Sequence, residues 1–286
     1  MSGSSEYDSS ADKIQDFQQN GSREDYLRRI KTAESVSIPK DVFEKLYLSP
    51  EQPAAGDLRK RFGNPTPIAL IGFLLAASPN ACVLMGWRGA GGGGGAILCP
   101  FVFFGGILQF IGGFGEWILG NTFSSSLFFT YGAFWLVQGC TLIPWFGVGA
   151  NYSPLGNTLE GSATPEFYAT FAFYLLFMGV VTFCFMICAI RTNIVLFMVL
   201  LILVVAFGCL SGAYWQFAEG NVVEGGKLVV AGGACAFAFS MLAWYLLLVQ
   251  LMEAVDFPFT LPVGDLSTVV PGKSLRALKK MQSAGQ

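Results

Sequence analysis

The chain has 286 residues, of which 53% are hydrophobic and only 13% charged, with a mean hydropathy of +0.55. A soluble domain carries nearer a quarter of its residues charged, so this composition excludes an ordinary water-soluble globule. A net charge of −2 excludes a basic nucleic-acid-binding surface, and the absence of histidine excludes His-based triads and most zinc sites.

The charges are segregated. Between Phe62 and Met252 only Arg88, Glu116, Glu160, Glu166, Arg191, Glu219, Glu224 and Lys227 are charged. The rest lie in the two ends, which describes a membrane domain with polar tails. Residues 1–60 are polar and mixed in charge. MSGSSEYDSSADKIQDFQQNGS has too few apolar residues to build a core and is expected to be disordered. It lacks the apolar stretch of a signal peptide. Ser37-Ile38-Pro39-Lys40 and Ser49-Pro50-Glu51-Gln52-Pro53 mark turns. Short amphipathic pieces at 26–30 and 42–48 are suited to a membrane surface.

Six apolar segments follow, at 66–86, 97–119, 127–147, 168–190, 194–214 and 228–252. Each is close to the roughly 20 residues that span a bilayer as a helix. The expected fold is therefore an all-α membrane protein: six transmembrane helices over 61–255, an N-terminal tail over 1–60 and a C-terminal tail over 256–286. Asn64-Pro65-Thr66-Pro67 opens the first span. Prolines are favourable at a helix start, and Asn64 either caps the helix or leaves its free N–H groups to an anion. Ser78-Pro79-Asn80 interrupts the same span, where the missing proline donor frees carbonyls and kinks the helix. The glycine-rich linker at 89–95 reads as a flexible turn, because it lacks the Lys-Ser/Thr ending of a phosphate loop.

The chain is organised around residues 100–122, PFVFFGGILQFIGGFGEWILGNT. Gln109 and Glu116 lie about two helical turns apart and share one face. Gly105, Gly106, Gly112 and Gly113 surround them, and Phe, Ile, Leu and Trp fill the other side. Such a helix stands beside a wet cavity or packs tightly on a neighbour with a hydrogen bond across the contact. A carboxylate at this depth is costly, which favours a functional role for Glu116. In the third span Tyr131, Phe134, Trp135 and Gln138 share a face, either as core or as pore lining. The Tyr131 hydroxyl and Gln138 each need a partner or water. Gly208 and Gly212 form a GxxxG pair in the fifth span, read as a helix contact. The seven cysteines include no CxxC pair. Cys184 and Cys188 share a helical face but, without histidine, read as small core residues rather than metal ligands.

Orientation follows lysine and arginine near the span ends. Arg59, Lys60, Arg61, Arg191, Lys273, Arg276, Lys279 and Lys280 fall on one side of an even-spanning bundle, Arg88 and Lys227 on the other. Both termini are expected in the cytoplasm.

NPTPIALIGF, beginning at Asn64, resembles the Asn-Pro-Ala-Pro-Leu-Gly-Leu signature of the acetate uptake transporter family, the bacterial succinate–acetate permeases and their fungal ammonia and acetate exporter relatives. The FGGxxQ…E…GNTF run at 104–123, TYGAFW at 130–135 and LPVGDLS at 261–267 match further. The resemblance covers about residues 60–267, with Thr66 and Ala69 departing from the commonest signature. It implies a pore in each protomer, assembly as a homohexamer in the plasma membrane, and a narrow apolar constriction. Phe73, Tyr131 and Leu203 match the constriction's Phe, Tyr and Leu.

The function implied is transport of acetate and similar small monocarboxylates, with proton coupling through Glu116 because no histidine is present. Asn64, Thr66, Gln109, Asn121, Thr122, Tyr131 and Gln138 supply neutral groups able to hold a carboxylate weakly. The alternative is a membrane sensor of acetate or ammonium that uses the same bundle without flux, which suits the polar N-terminal tail. No nucleophile–base pair points to an enzyme, and no cofactor or metal is called for. The partners expected are a small carboxylate, the lipid bilayer and further copies of the chain.

Overall fold

Pro65 and Pro67 set the start of the first helix, α1 (Thr66–Leu84), and Asn64 Oδ1 accepts from the Thr66 backbone N–H at 3.0 Å. The computed structural model describes residue 58 and residues 62–266, all of which fall within one compact unit. Five further long helices follow: α2 (Gly92–Ile118), α3 (Thr122–Leu142), α4 (Pro165–Ala189), α5 (Ile194–Ala218) and α6 (Val222–Ala254). Thr164 caps α4 and Asn193 caps α5, each accepting from a first-turn backbone N–H. The all-helical reading holds among the described residues. The amphipathic pieces at 26–30 and 42–48, the basic run at 59–61 and the C-terminal basic residues lie outside them.

Five of the helices, α1, α2, α4, α5 and α6, are long and apolar enough to cross a membrane. The 21-residue α3 is long enough and uncharged, but Ser124, Ser125, Ser126, Thr130, Gln138 and Thr141 dilute its apolar character. It begins five residues before the expected span and ends ahead of Pro144, which cannot continue a helix. The last helix also starts earlier than expected, at Val222, and carries Glu224 and Lys227 paired with each other on its exposed first turns. Pro79 lies inside an unbroken α1. Within α2 the run Phe101–Leu108 is π-helical, and Gln109–Ile118 returns to α geometry.

Close packing explains the glycines. α1 and α2 run antiparallel, with Gly115 against Pro65, Gly112 against Ala69 and Gly105 against Ala76. A methyl group on Gly112 would lie 2.5 Å from Ala69 Cβ, and one on Gly105 2.5 Å from Trp135 Cγ. α3 closes on the next side of α2, where Gly106 meets Leu136 and Gly132 meets Phe110. The GxxxG pair of α5 behaves otherwise. Nothing lies within 4 Å of a methyl placed on Gly208, and one on Gly212 would touch only Leu228, at 3.5 Å. Within the protomer that pair is not a close helix contact.

The LPVGDLS segment also has a structural task. Gly264 O accepts from Ile194 N at 2.8 Å, and Leu266 N donates to Thr192 O at 3.0 Å. The chain after α6 is thereby pinned across the turn between α4 and α5. Gly264 has a φ of +66°, and a methyl there would lie 2.6 Å from the Ile194 side chain.

Candidate functional site

The short helical turn that ends α2 and the proline-led start of α1 bring three polar side chains together. Glu116 is 0% exposed. The Thr66 hydroxyl donates to its Oε1, and the Asn121 side-chain N–H donates to its Oε2. Three helices are tied at one point: α1 through Thr66, α2 through Glu116, and the entry to α3 through Asn121. A carboxylate inside apolar surroundings requires such donors on both oxygens.

Thr66 also lines a cavity of about 50 Å³, shared with Leu70, Ser124, Phe128, Asn193 and Gln250 among others. Glu116 is therefore one residue away from that cavity. Asn64 does not line this cavity but reaches a residue that does, with its Nδ2 at 3.5 Å from Gln250 Oε1. We refer to this space as the Thr66 cavity.

A second cavity, of about 40 Å³, contains the aromatic groups. Phe73, Tyr131 and Leu203 line it together with Phe239. The ring of Phe73 lies 6.2 Å from that of Tyr131 and 5.7 Å from that of Phe239. The Tyr131 hydroxyl does not face a vacant space: it donates to Thr182 Oγ1 at 3.0 Å, and Thr182 in turn donates to Met178 O. Residues of α1, α3, α5 and α6 line both cavities. Along α1 the order is Thr66 and Leu70, then Phe73 and Ala77. Along α3 it is Ser124 and Phe128, then Tyr131 and Trp135. Along α5 it is Leu196, then Leu203, and along the reversed α6 it is Gln250 and Leu246, then Phe239. The two cavities thus lie in series along the bundle, and the surface of each is almost wholly apolar, although Thr66, Ser124, Asn193 and Gln250 are among the residues around the first.

The remaining candidates are placed as follows. Gln109 is buried and its Oε1 has no hydrogen-bond partner. It lies at the level where α1 crosses α2, since a methyl on Gly72 would approach its backbone N to 3.0 Å. Thr122 is exposed on the first turn of α3, and Gln138 is half-buried; neither lines either of these two cavities. Sequence reasoning passed over Gln250, Asn193, Ser124, Thr182 and Phe239. Gln250 carried a signal, as a lone amide within an apolar span. Among the described residues no group of three or more Cys, Asp or Glu is arranged to hold a metal.

Residues 48–268 match the model of the GPR1/FUN34/yaaH family. The chain is similar to Protein alcS of Aspergillus fumigatus, 48% identical over 234 residues that cover 82% of this chain and 86% of that one. It is similar to Acetate permease A of Emericella nidulans, 27% identical over 76% of this chain and 71% of that one. Among solved structures it resembles the bacterial acetate channel SatP, with a TM-score of 0.55 and 26% identity over 71% of this chain and 99% of that one. The named permease and channel are transport proteins rather than enzymes.

Proposed function

The chain belongs to the GPR1/FUN34/yaaH family, and from that membership we propose that it is a multi-pass membrane protein moving acetate and similar small monocarboxylates along the line of the two cavities. The observation that carries this is their serial arrangement on the same four helices. Thr66, Ser124, Asn193 and Gln250 stand around the Thr66 cavity, and in this reading they turn from their resting partners to hold a carboxylate without fixed charge. The Phe73 cavity follows, bounded by Phe73, Tyr131, Leu203 and Phe239. A hydrated ion entering it must shed water, and the ring returns little in exchange. A small acid with one methyl group crosses such a constriction more readily than a dicarboxylate with two charged ends.

In this reading a proton is exchanged through Glu116. Thr66 lines the cavity and its hydroxyl bonds the carboxylate, so in this reading it relays a proton inward: it accepts one from a hydronium ion or the protonated acid in the cavity, leaving water or the carboxylate there, as it gives its own to Oε1. The membrane is the plasma membrane, both termini are cytoplasmic, and six copies assemble, each with its own pore. The distribution of lysine and arginine supports the orientation, and the family resemblance supports the assembly. The test is uptake of labelled acetate by proteoliposomes containing only this protein. Protein-free vesicles give the background from diffusion of the neutral acid. Uptake above that background is expected; its absence, with the protein correctly folded and inserted, rejects transport and leaves the sensor.

A further inference from the structure

The loop between α3 and α4, residues 143–164, is built the wrong way round for a segment facing water. Leu155, Trp145 and Leu159 are 90%, 84% and 79% exposed, the highest values of any large hydrophobic side chains among the described residues. Phe146, beside Trp145, is exposed as well. The inside of the loop is filled by glycine instead. Gly149 lies against the Thr158 and Ser162 backbone and Gly161 against Gly149, with no room for a side chain at either. Contiguous apolar exposure of this kind marks an interaction surface.

The polar side chains of the loop serve its own backbone. Asn157 Oδ1 accepts from the N–H groups of Leu159 and Glu160, Ser162 donates to Thr158 O, and Thr164 donates to Gly161 O. Glu160, the one charged residue in the loop, accepts from Ser153 Oγ at 2.9 Å. Tyr152 seats the loop on the first turn of α4, its ring edge-on to Phe167 at 5.5 Å. Backbone bonds made locally, with apolar groups outermost, suit a medium poorer in water than the bulk.

Position identifies that medium. The 21-residue α3 rises about 31 Å, which matches the hydrocarbon thickness of a bilayer of roughly 30 Å. Trp145 follows just beyond its end, at the headgroup level that tryptophan favours. The α5–α6 turn stands at the same end of the bundle, because Tyr168 of α4 meets Tyr214 and Phe217 of α5. That turn also exposes Val222 and Val223, but it sets Glu219, Glu224 and Lys227 among them. The α3–α4 loop carries Glu160 alone.

We propose that the α3–α4 loop is a lipid anchor: Trp145, Phe146, Leu155 and Leu159 sit at the boundary between headgroups and acyl chains of the leaflet at that end of the bundle. The anchor holds the ends of α3 and α4 at a set depth. With no cation in the loop, anchoring draws on apolar burial and has no preference for anionic lipid. It rests on the multi-pass reading and does not require that acetate moves.

Tryptophan emission tests it. The full chain is reconstituted in phosphatidylcholine with bromine either near the headgroup end of the acyl chains or near their tails. Trp145→Phe changes an exposed ring and should fold, and the emission it loses isolates Trp145 among the six tryptophans. That share is expected to fall at least about twofold with bromine near the headgroups and less with bromine at the tails, and to ignore added phosphatidylserine. Aqueous iodide should quench it little. Leu155→Asp combined with Leu159→Asp should release the loop, so that iodide reaches Trp145 and brominated lipid no longer does. A Trp145 signal that ignores brominated lipid overturns the proposal: quenching by iodide then puts the loop in water, and quenching by neither puts it against a second copy of the chain. A double variant that behaves as the unmodified protein overturns it too. The remaining emission reports the spans. If bromine at the tails quenches it while Trp145 is untouched, the multi-pass reading stands and only the anchor falls; if nothing is quenched, both fall.

Discussion

Gly112→Ala probes the contact that brings Thr66 to Glu116. The added methyl would sit 2.5 Å from Ala69 Cβ, 2.8 Å from Ala69 N and 2.9 Å from Ala69 Cα. Two of those atoms are backbone, so no side-chain rotation relieves the clash. Ordinary contact distances require α1 and α2 to part by about 1 Å. Overpacking of this kind costs about 1–3 kcal/mol. Thr66 lies one turn from Ala69, and the same displacement lengthens and weakens the bond from its hydroxyl to Glu116, adding to that cost. The loss is expected to lower the thermal midpoint by at least about 2 °C, read as loss of the monodisperse peak in detergent after heating. Acetate uptake should fall with it. Gly208→Ala is the matched control, because nothing lies within 4 Å of its methyl and alanine favours a helix. It should leave stability equal or slightly higher. If the two variants are equally stable, the α1–α2 glycine contact does not hold the Thr66–Glu116 pair.

Three further outcomes are expected. Glu116→Gln is isosteric and should fold, since a turned Asn121 amide can accept from the new side-chain N–H. Background-subtracted uptake should rise with falling external pH in the unmodified protein and become flat in the variant; an unchanged profile makes Glu116 a structural partner only. Leu203→Ala should raise succinate uptake relative to acetate by about threefold or more, equivalent to ~0.7 kcal/mol of barrier. The exposed Val205 of the same helix, changed to Ala, should leave the ratio alone, and equal ratios in both variants remove Leu203 from the filter. Tags at Met1 and Gln286 should both resist protease on intact cells, and cleavage of either reverses the proposed orientation.

The sequence by itself determined the class of this protein. Charge segregation and the long apolar runs put helices in a bilayer, and the two-turn spacing of Gln109 and Glu116 put them on one buried face of α2. Periodicity could not say what that face meets. In a bilayer both lipid and a neighbouring helix are apolar, so hydrophobicity does not distinguish the lumen side of a span from its outer side. That is why Thr122 and Gln138 could be read as pore groups, although neither lines the Thr66 cavity or the Phe73 cavity. It is also why Leu203 could not be singled out by pattern within a featureless run. Tertiary structure decided the partners. Glu116 takes donors from α1 and from the α2–α3 turn, and Asn64 reaches Gln250, 186 residues further along the chain. It also engaged the Tyr131 hydroxyl with Thr182 and left the Trp135 N–H without an acceptor. These pairings depend on which helices stand side by side, and the close approach of small residues, Gly112 on Ala69 and Gly105 beside Ala76 and Trp135, sets that for α2.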